Sequence, residues 1–212
     1  MQTIELLVKA VTWESDRVRS YDLRLASGAP LPPFTAGAHI DLALLNGLTR
    51  SYSLINSQDE RTRYVIAVQN DRVSRGGSRW IHQHLQVGDL LKVGSPRNNF
   101  RLVEEAPESL LIAGGIGITP MLSMVTRLAS LGRTWTLHYC ARTRADAAFL
   151  DRLEAPGGWP HGKVHLNFDH GPGGTIQDIG LLNAAAPTAS SACRQRLVQH
   201  EQPVVAPPHL GA

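Results

Sequence analysis

The chain has 212 residues, an apolar share of 42% and a formal net charge of +3, enough for one large domain or two small ones around a real core. Its basic residues are scattered Arg with no block or stripe, which argues against nucleic acid as a partner. The two cysteines, Cys140 and Cys193, stand far apart without C-x-x-C spacing, so no disulfide framework, metal site or [2Fe–2S] ligand set is expected from this chain. The first residues alternate instead of forming an apolar leader, and no apolar run reaches membrane-spanning length. The expectation is a soluble, cytoplasmic protein without a membrane partner.

The first half carries short strand patterns. Ile4–Val11 and Val18–Leu25 alternate apolar and polar residues on either side of a turn-rich gap. Ser27-Gly28-Ala29-Pro30 and Pro32-Pro33 mark a loop, His39–Leu44 is a third strand, and Asn46-Gly47 is a hairpin turn. Arg50–Ile55, Tyr64–Val68 and Leu90–Val93 bring the count to about six. Closely spaced strands of this kind close into small barrels, because closure removes exposed edges. One helix interrupts them, starting after Gly76-Gly77-Ser78, running through Trp80, Ile81, His84 and Leu85, and leaving by Val87-Gly88-Asp89.

Two stretches in this half suggest more than a barrel. Arg50-Ser51-Tyr52-Ser53-Leu54 sets a cation, two hydroxyls and an aromatic in one strand. Strand alternation puts Arg50, Tyr52 and Leu54 on one face and Ser51 and Ser53 on the other. An aromatic between hydrogen-bonding groups suits a planar, polar-edged ligand, and an arginine suits a phosphate. A plain surface strand fits the same residues. Gly76-Gly77-Ser78 offers backbone N–H groups and a hydroxyl at a helix N-terminus, which suits an anion. An ordinary N-cap loop fits it equally.

After the linker Ala106-Pro107-Glu108-Ser109 the period changes. Leu110–Ala113 reads as a buried strand, ending in Gly114-Gly115-Ile116-Gly117-Ile118-Thr119-Pro120 before a helical pattern. Gly115 and Gly117 allow close approach to the backbone, Thr119 can cap the helix, and Pro120 fits its first position. The free N–H groups there can seat a phosphate, although Pro120 stands where a third glycine is expected, and a simple strand-to-helix turn fits too. Met121, Met124, Val125 and Leu128 follow at core spacing up to Leu131-Gly132. A strand over Trp135–Cys140, the turn Ala141-Arg142-Thr143, a helix over Ala147–Leu153 and a strand over Lys163–Phe168 complete a βαβ alternation that implies a parallel sheet. The turn Asp169–Gly174 closes it, and ligands in such sheets lie at the carboxyl ends of the strands. Beyond Asn183 the chain turns small and polar, then mixes Gln, Arg and His without a period, and is expected to be poorly ordered.

The order of these motifs, with Arg75 before the glycine pair and Ser95-Pro96-Arg97-Asn98-Asn99-Phe100 between the two halves, resembles the ferredoxin–NADP reductase superfamily over residues 3–183. Within it the chain looks most like the phthalate dioxygenase reductase group, which includes vanillate demethylase reductases. The resemblance implies a six-stranded antiparallel flavin-binding barrel (1–105), a partial parallel α/β NAD(P)-binding domain (106–183) and an atypical tail (184–212). It implies FMN, with FAD as the alternative, and NADH, with NADPH as the alternative. By position, Arg50 holds the flavin phosphate end, Tyr52 lies against the isoalloxazine and Ser53, beside Ser51, reaches the N5 region. Gly76, Gly77 and Ser78 bind the phosphate. Gly115, Gly117 and Thr119 line the nicotinamide cofactor site, with Arg142 near the adenosine half. Hydride would pass from nicotinamide to flavin, and electrons would leave singly to an iron–sulfur protein or oxygenase component on another polypeptide. No acid–base residue and no metal ligand is assigned.

The chain also departs from this pattern. The group continues into a further strand beside that of Leu110, ending in a Cys-Gly-Pro turn, and into a [2Fe–2S] domain with clustered cysteines; neither is legible after Leu182. The reading is therefore a truncated or frameshifted reductase, with exposed apolar surface beside Leu110 and weakened nicotinamide binding. Two further readings are a free-standing NADH:flavin or diaphorase-type reductase and a non-catalytic flavin-binding remnant. A hydrolase is disfavoured by the lack of a Gly-x-Ser-x-Gly elbow. His39, His82, His84, His138, His161, His165 and His170 lack metal-ligand spacing and read as surface or satisfied core residues.

Overall fold

The computed structural model describes residues 3–71 and 73–169 and the backbone of Arg196–Gln199. Six strands form the first half: β1 (Thr3–Ser15), β2 (Val18–Arg24), β3 (His39–Ala43), β4 (Thr49–Ser53), β5 (Tyr64–Gln69) and β6 (Leu90–Gly94), with α1 (Gly77–His84) between the last two. They pair antiparallel in the order β4-β3-β6-β1-β2-β5. The outer strands then meet, since Leu54 bridges Ile66 and the Ile55 N–H donates to the Val65 carbonyl at 2.9 Å. That closure makes a barrel and leaves no long free edge.

β1 is longer than its alternation predicts. Register shifts at Val8/Ala10 and Trp13/Ser15 bend it, so its first residues pair with β6 and the rest with β2. The barrel core is built from Leu6, Tyr21, Leu23, Ile40, Leu42, Ile66 and Val93, all within this half.

The second half comprises β7 (Glu108–Gly114), a 3-10 turn (Gly115–Gly117), α2 (Ile118–Ser130), β8 (Thr134–Ala141), α3 (Leu150–Leu153) and β9 (Gly162–Phe168). β7, β8 and β9 are parallel neighbours, with α2 packed on one face through Met121, Met124, Val125 and Leu128. This core takes in Val18, Ala36, Ile55 and Ala67 of the barrel. Contact between the halves is close at Gly37, whose N–H donates to Ser123 Oγ at 3.1 Å. A Cβ at Gly37 would stand 2.0 Å from the Phe100 carbonyl oxygen and 2.7 Å from Met124 Cε. Arg127 ties α2 to the segment just before the linker through both oxygens of Glu104, at 2.8 and 2.7 Å.

Three expectations need correction. Thr119 does not cap α2: the 3-10 turn moves the cap to Gly117, and Thr119 Oγ1 donates to the Ile116 carbonyl at 3.0 Å instead of accepting a helix N–H. Pro120 accordingly sits third, not first, in the helix. The helix predicted over Ala147–Leu153 shrinks to Leu150–Leu153, because Phe149 is left-handed at φ 65 and interrupts it. Within the tail predicted to lack order, Arg196–Gln199 is described, as β10, antiparallel to Ser109–Ile112 of β7. An edge strand offers unpaired N–H and C=O groups to any extended segment, and a search for periodicity passes over a four-residue pairing. The rest of that tail and the turn after Asp169 lie outside the described residues.

Candidate functional site

A cleft of about 370 Å³ opens at the junction of the halves. β4 contributes Arg50, Ser51, Tyr52 and Ser53, the start of α1 contributes Gly77 and Ser78, and the turn into α2 contributes Ile116 and Thr119. Segments more than sixty residues apart in sequence thus share one cavity, because barrel closure and the Gly37–α2 contact bring them together.

The face alternation predicted for β4 is visible in its partners. Tyr52, opposite buried Ile40, packs against the barrel core. Ser51 points the other way, its hydroxyl donating to Asp41 Oδ1 at 2.6 Å. Desolvation is the main effect on the Tyr52 phenol, outweighing the nearby Arg50 charge and pushing its pKa up to about 12. It is therefore a neutral wall with a hydroxyl at its tip.

Arg50 crosses over the first turn of α1. Its Nη2 donates to the Arg75 carbonyl at 3.1 Å and its Nη1 to the Thr49 carbonyl at 2.8 Å. A Cβ on Gly77 would lie 2.6 Å from Arg50 Nε, so glycine is what lets the guanidinium lie across the helix start. Gly76, left-handed at φ 92, is the N-cap and supplies no side chain. Ser74 Oγ fills in, accepting from the Gly76 and Arg79 N–H groups at 3.2 and 3.4 Å and lying 3.0 Å from Ser78 Oγ. A guanidinium, a helix N-terminus and two hydroxyls therefore converge on one seat, which is the donor set of a phosphate site.

Gly76, Gly115, Gly117 and Arg142 do not line this cleft. Gly76 caps the helix that lines it. Gly115, at φ 50, faces open space, with nothing within 4 Å of an added Cβ. Gly117 is buried as the cap of α2, and Arg142 is exposed just beyond the end of β8. Gly114, Cys140 and Asn167 stand in register at the carboxyl edge of the parallel sheet, where ligands of such sheets lie. The sequence reading missed Ser74, Asp71, Gln69 and Ile116, which also line the cleft. Ser74 had a signal, a serine two residues before a glycine turn, where hydroxyls bond back to the backbone. Among the described residues, no group of three or more His, Cys, Asp or Glu is placed to hold a metal. The His82 ring is held 2.8 Å from the Val68 carbonyl. Among those residues no helix is long and apolar enough to cross a membrane.

No family model matches the chain. It is 49% identical over 179 residues to tetrachlorobenzoquinone reductase of Sphingobium chlorophenolicum, covering 84% of this chain and 55% of that protein. A vanillate O-demethylase oxidoreductase of Pseudomonas putida is 38% identical over 216 residues, covering 91% and 67%. Among solved structures, phthalate dioxygenase reductase, described as a modular structure for electron transfer from pyridine nucleotides to [2Fe–2S], superposes with a TM-score of 0.79 at 39% identity, covering 87% and 57%. The chain belongs to the ferredoxin–NADP reductase superfamily. Within it, this member of the phthalate dioxygenase reductase group spans little more than half the length of most relatives it matches. Its barrel and partial parallel sheet are those of the group's fold.

Proposed function

We propose that the chain is a flavin-dependent reductase that takes hydride from NAD(P)H and passes electrons to an iron–sulfur centre of an oxygenase system, of the aromatic ring hydroxylation or O-demethylation type. The observation that carries this reading is the shared cleft. Arg50, Tyr52, Ser53, Gly77 and Ser78 face Ile116 and Thr119 across about 370 Å³, so a flavin seated on the barrel would meet a nicotinamide carried by the second half.

The residues fit such a group. Arg50, Gly76, Gly77 and Ser78 form a single anion seat, which favours FMN over FAD. Tyr52 offers a neutral aromatic wall, and Ser53 and Thr119, which line the same cleft, would be the hydroxyl side chains nearest the N5 region. Gly115, Gly117 and Arg142 would lie along the nicotinamide cofactor, and among the described residues no paired basic cluster at that edge calls for a 2′-phosphate, which favours NADH. When bound, the flavin supplies the conversion of hydride into single-electron transfers. The chain's own part is to hold, orient and shield. No side chain in the cleft needs to move a proton, in keeping with the high Tyr52 pKa of about 12.

A second reading, a flavin binder without turnover, is favoured by one feature. Among the described residues the parallel sheet has three strands, and β7 has antiparallel β10 as its other neighbour. An anaerobic absorption spectrum before and after NADH separates the two. A flavin band that bleaches supports the reductase, and one that persists supports the binder. No flavin after reconstitution with FMN overturns both.

A further inference from the structure

A second cleft, of about 620 Å³, shares no lining residue with the site above. It opens where the β1–β2 hairpin of the barrel faces Arg144–Arg152 of the second half. Most of its charged groups are paired: Asp22 with Arg24 and Arg63, Glu60 with Arg63, and Arg144 with Glu154. Two are left over. Glu14 Oε1 accepts the Ser20 hydroxyl at 2.5 Å, yet the carboxylate makes no ion pair among the described residues. Arg152 donates to the Ile55 carbonyl at 3.3 Å and Thr126 Oγ1 at 2.7 Å and lies over the Trp159 ring, again without a carboxylate partner among them. Each feels the other's charge without contact, and Arg152 feels that of Glu60, itself paired with Arg63, more strongly. Ser15, next to Glu14 in β1 and only 3% exposed, lines the cleft with a hydroxyl that has no hydrogen-bond partner among the described residues.

We propose that this cleft binds a small zwitterion, its cationic end on the Glu14 carboxylate and Ser15 hydroxyl and its anionic end on the Arg152 guanidinium. A simple anion would satisfy Arg152 and leave a bare carboxylate beside it. An amine would do the reverse. A dipolar molecule satisfies both, and Ile55, Val65, Ala147, Phe149 and Leu150 supply walls for an apolar body. Burial pushes the Glu14 carboxyl up and the Arg152 guanidinium down, the directions of charges that have lost water without gaining a counter-ion. The site is independent of flavin or nicotinamide binding.

The test is calorimetric titration of the full chain with leucine and with 6-aminohexanoate, against hexanoate and hexylamine as single-charge controls. At least one zwitterion should bind saturably, with both controls about tenfold weaker or worse. Glu14→Gln, which keeps an acceptor for Ser20, should weaken that binding about tenfold, and Ser15→Ala a few-fold. No titration by either zwitterion overturns the proposal, as do controls that bind equally well. Wild-type affinity in Glu14→Gln also overturns it. Should a variant fail to fold, the zwitterion-against-control comparison on the wild-type chain decides alone.

Discussion

The two halves own their cores differently. Tyr21, Leu23, Ile40, Leu42 and Ile66 pack only with residues of the barrel, whose backbone hydrogen bonds close on themselves. The core of the second half holds Leu111, Met121, Leu137 and Tyr139 together with Val18, Ala36, Ile55 and Ala67 from the barrel. A closed barrel satisfies its own edges, whereas an open parallel sheet needs cover on its faces. The seat formed by Arg50 and the start of α1 therefore rests on the self-sufficient half, and the proposed nucleotide edge rests on the half that leans on its neighbour.

The sharpest way to break this comparison is a matched pair of core truncations. Leu137 and Ile66 are both fully buried, so each change to alanine should cost about 3 kcal/mol. Native-state hydrogen exchange should show Leu137→Ala loosening β7–β9 while β1–β6 stay protected. Ile66→Ala should loosen both halves. Equal loss of protection in both variants would remove the distinction. Next comes the joint itself: Gly37 has φ 89 as well as the close contacts across the interface, so Gly37→Ala should cost about 2 kcal/mol, read as a lowered denaturation midpoint.

A smaller effect is expected within the barrel-owned seat. In Gly77→Ala the new methyl must displace the Arg50 side chain, and FMN affinity should fall about tenfold while the melting temperature of the ligand-free chain barely moves. Fluorescence titration with FMN reads the first and a thermal scan the second. Last is the Glu104–Arg127 pair beside the linker, partly exposed at 29% and 23%, where Glu104→Gln should cost under about 1 kcal/mol. The Arg127 hydrogen bond holds the Glu104 carboxyl below its ordinary 4.5. Its folded pKa is lowered, so its contribution is complete above the ordinary value and lost as pH falls through the lower one. Acid unfolding curves of wild type and Glu104→Gln should therefore differ above 4.5 and converge as pH falls through the lowered Glu104 pKa.

Much of the fold was legible because its signals are local. Alternation marked β2, β3, β5 and β6 to within about two residues, and the glycine turns marked the starts of both lining helices. Errors fell where a neighbour overrode the local pattern. Register shifts lengthened β1, a 3-10 turn took the cap from Thr119, and a left-handed Phe149 cut α3 short. The candidate site residues on β4 and α1 stood out as chemistry in the sequence, while Gln69 and Asp71, which share their cleft, did not.

By itself the sequence determined the order of strands and helices, the change of period at residue 106, and the stretches Arg50–Leu54, Gly76–Ser78 and Gly114–Pro120 as places where a ligand could be held. Periodicity and turn chemistry act over a few residues, so they can be read from a few residues. The tertiary structure alone decided that Arg50, Ser78 and Thr119 line one cleft and that Glu14 and Arg152 line another. Those placements depend on the Leu54–Ile66 bridge and on the packing of Gly37 against α2. Such contacts are settled by closure and packing between distant segments, which no local pattern encodes.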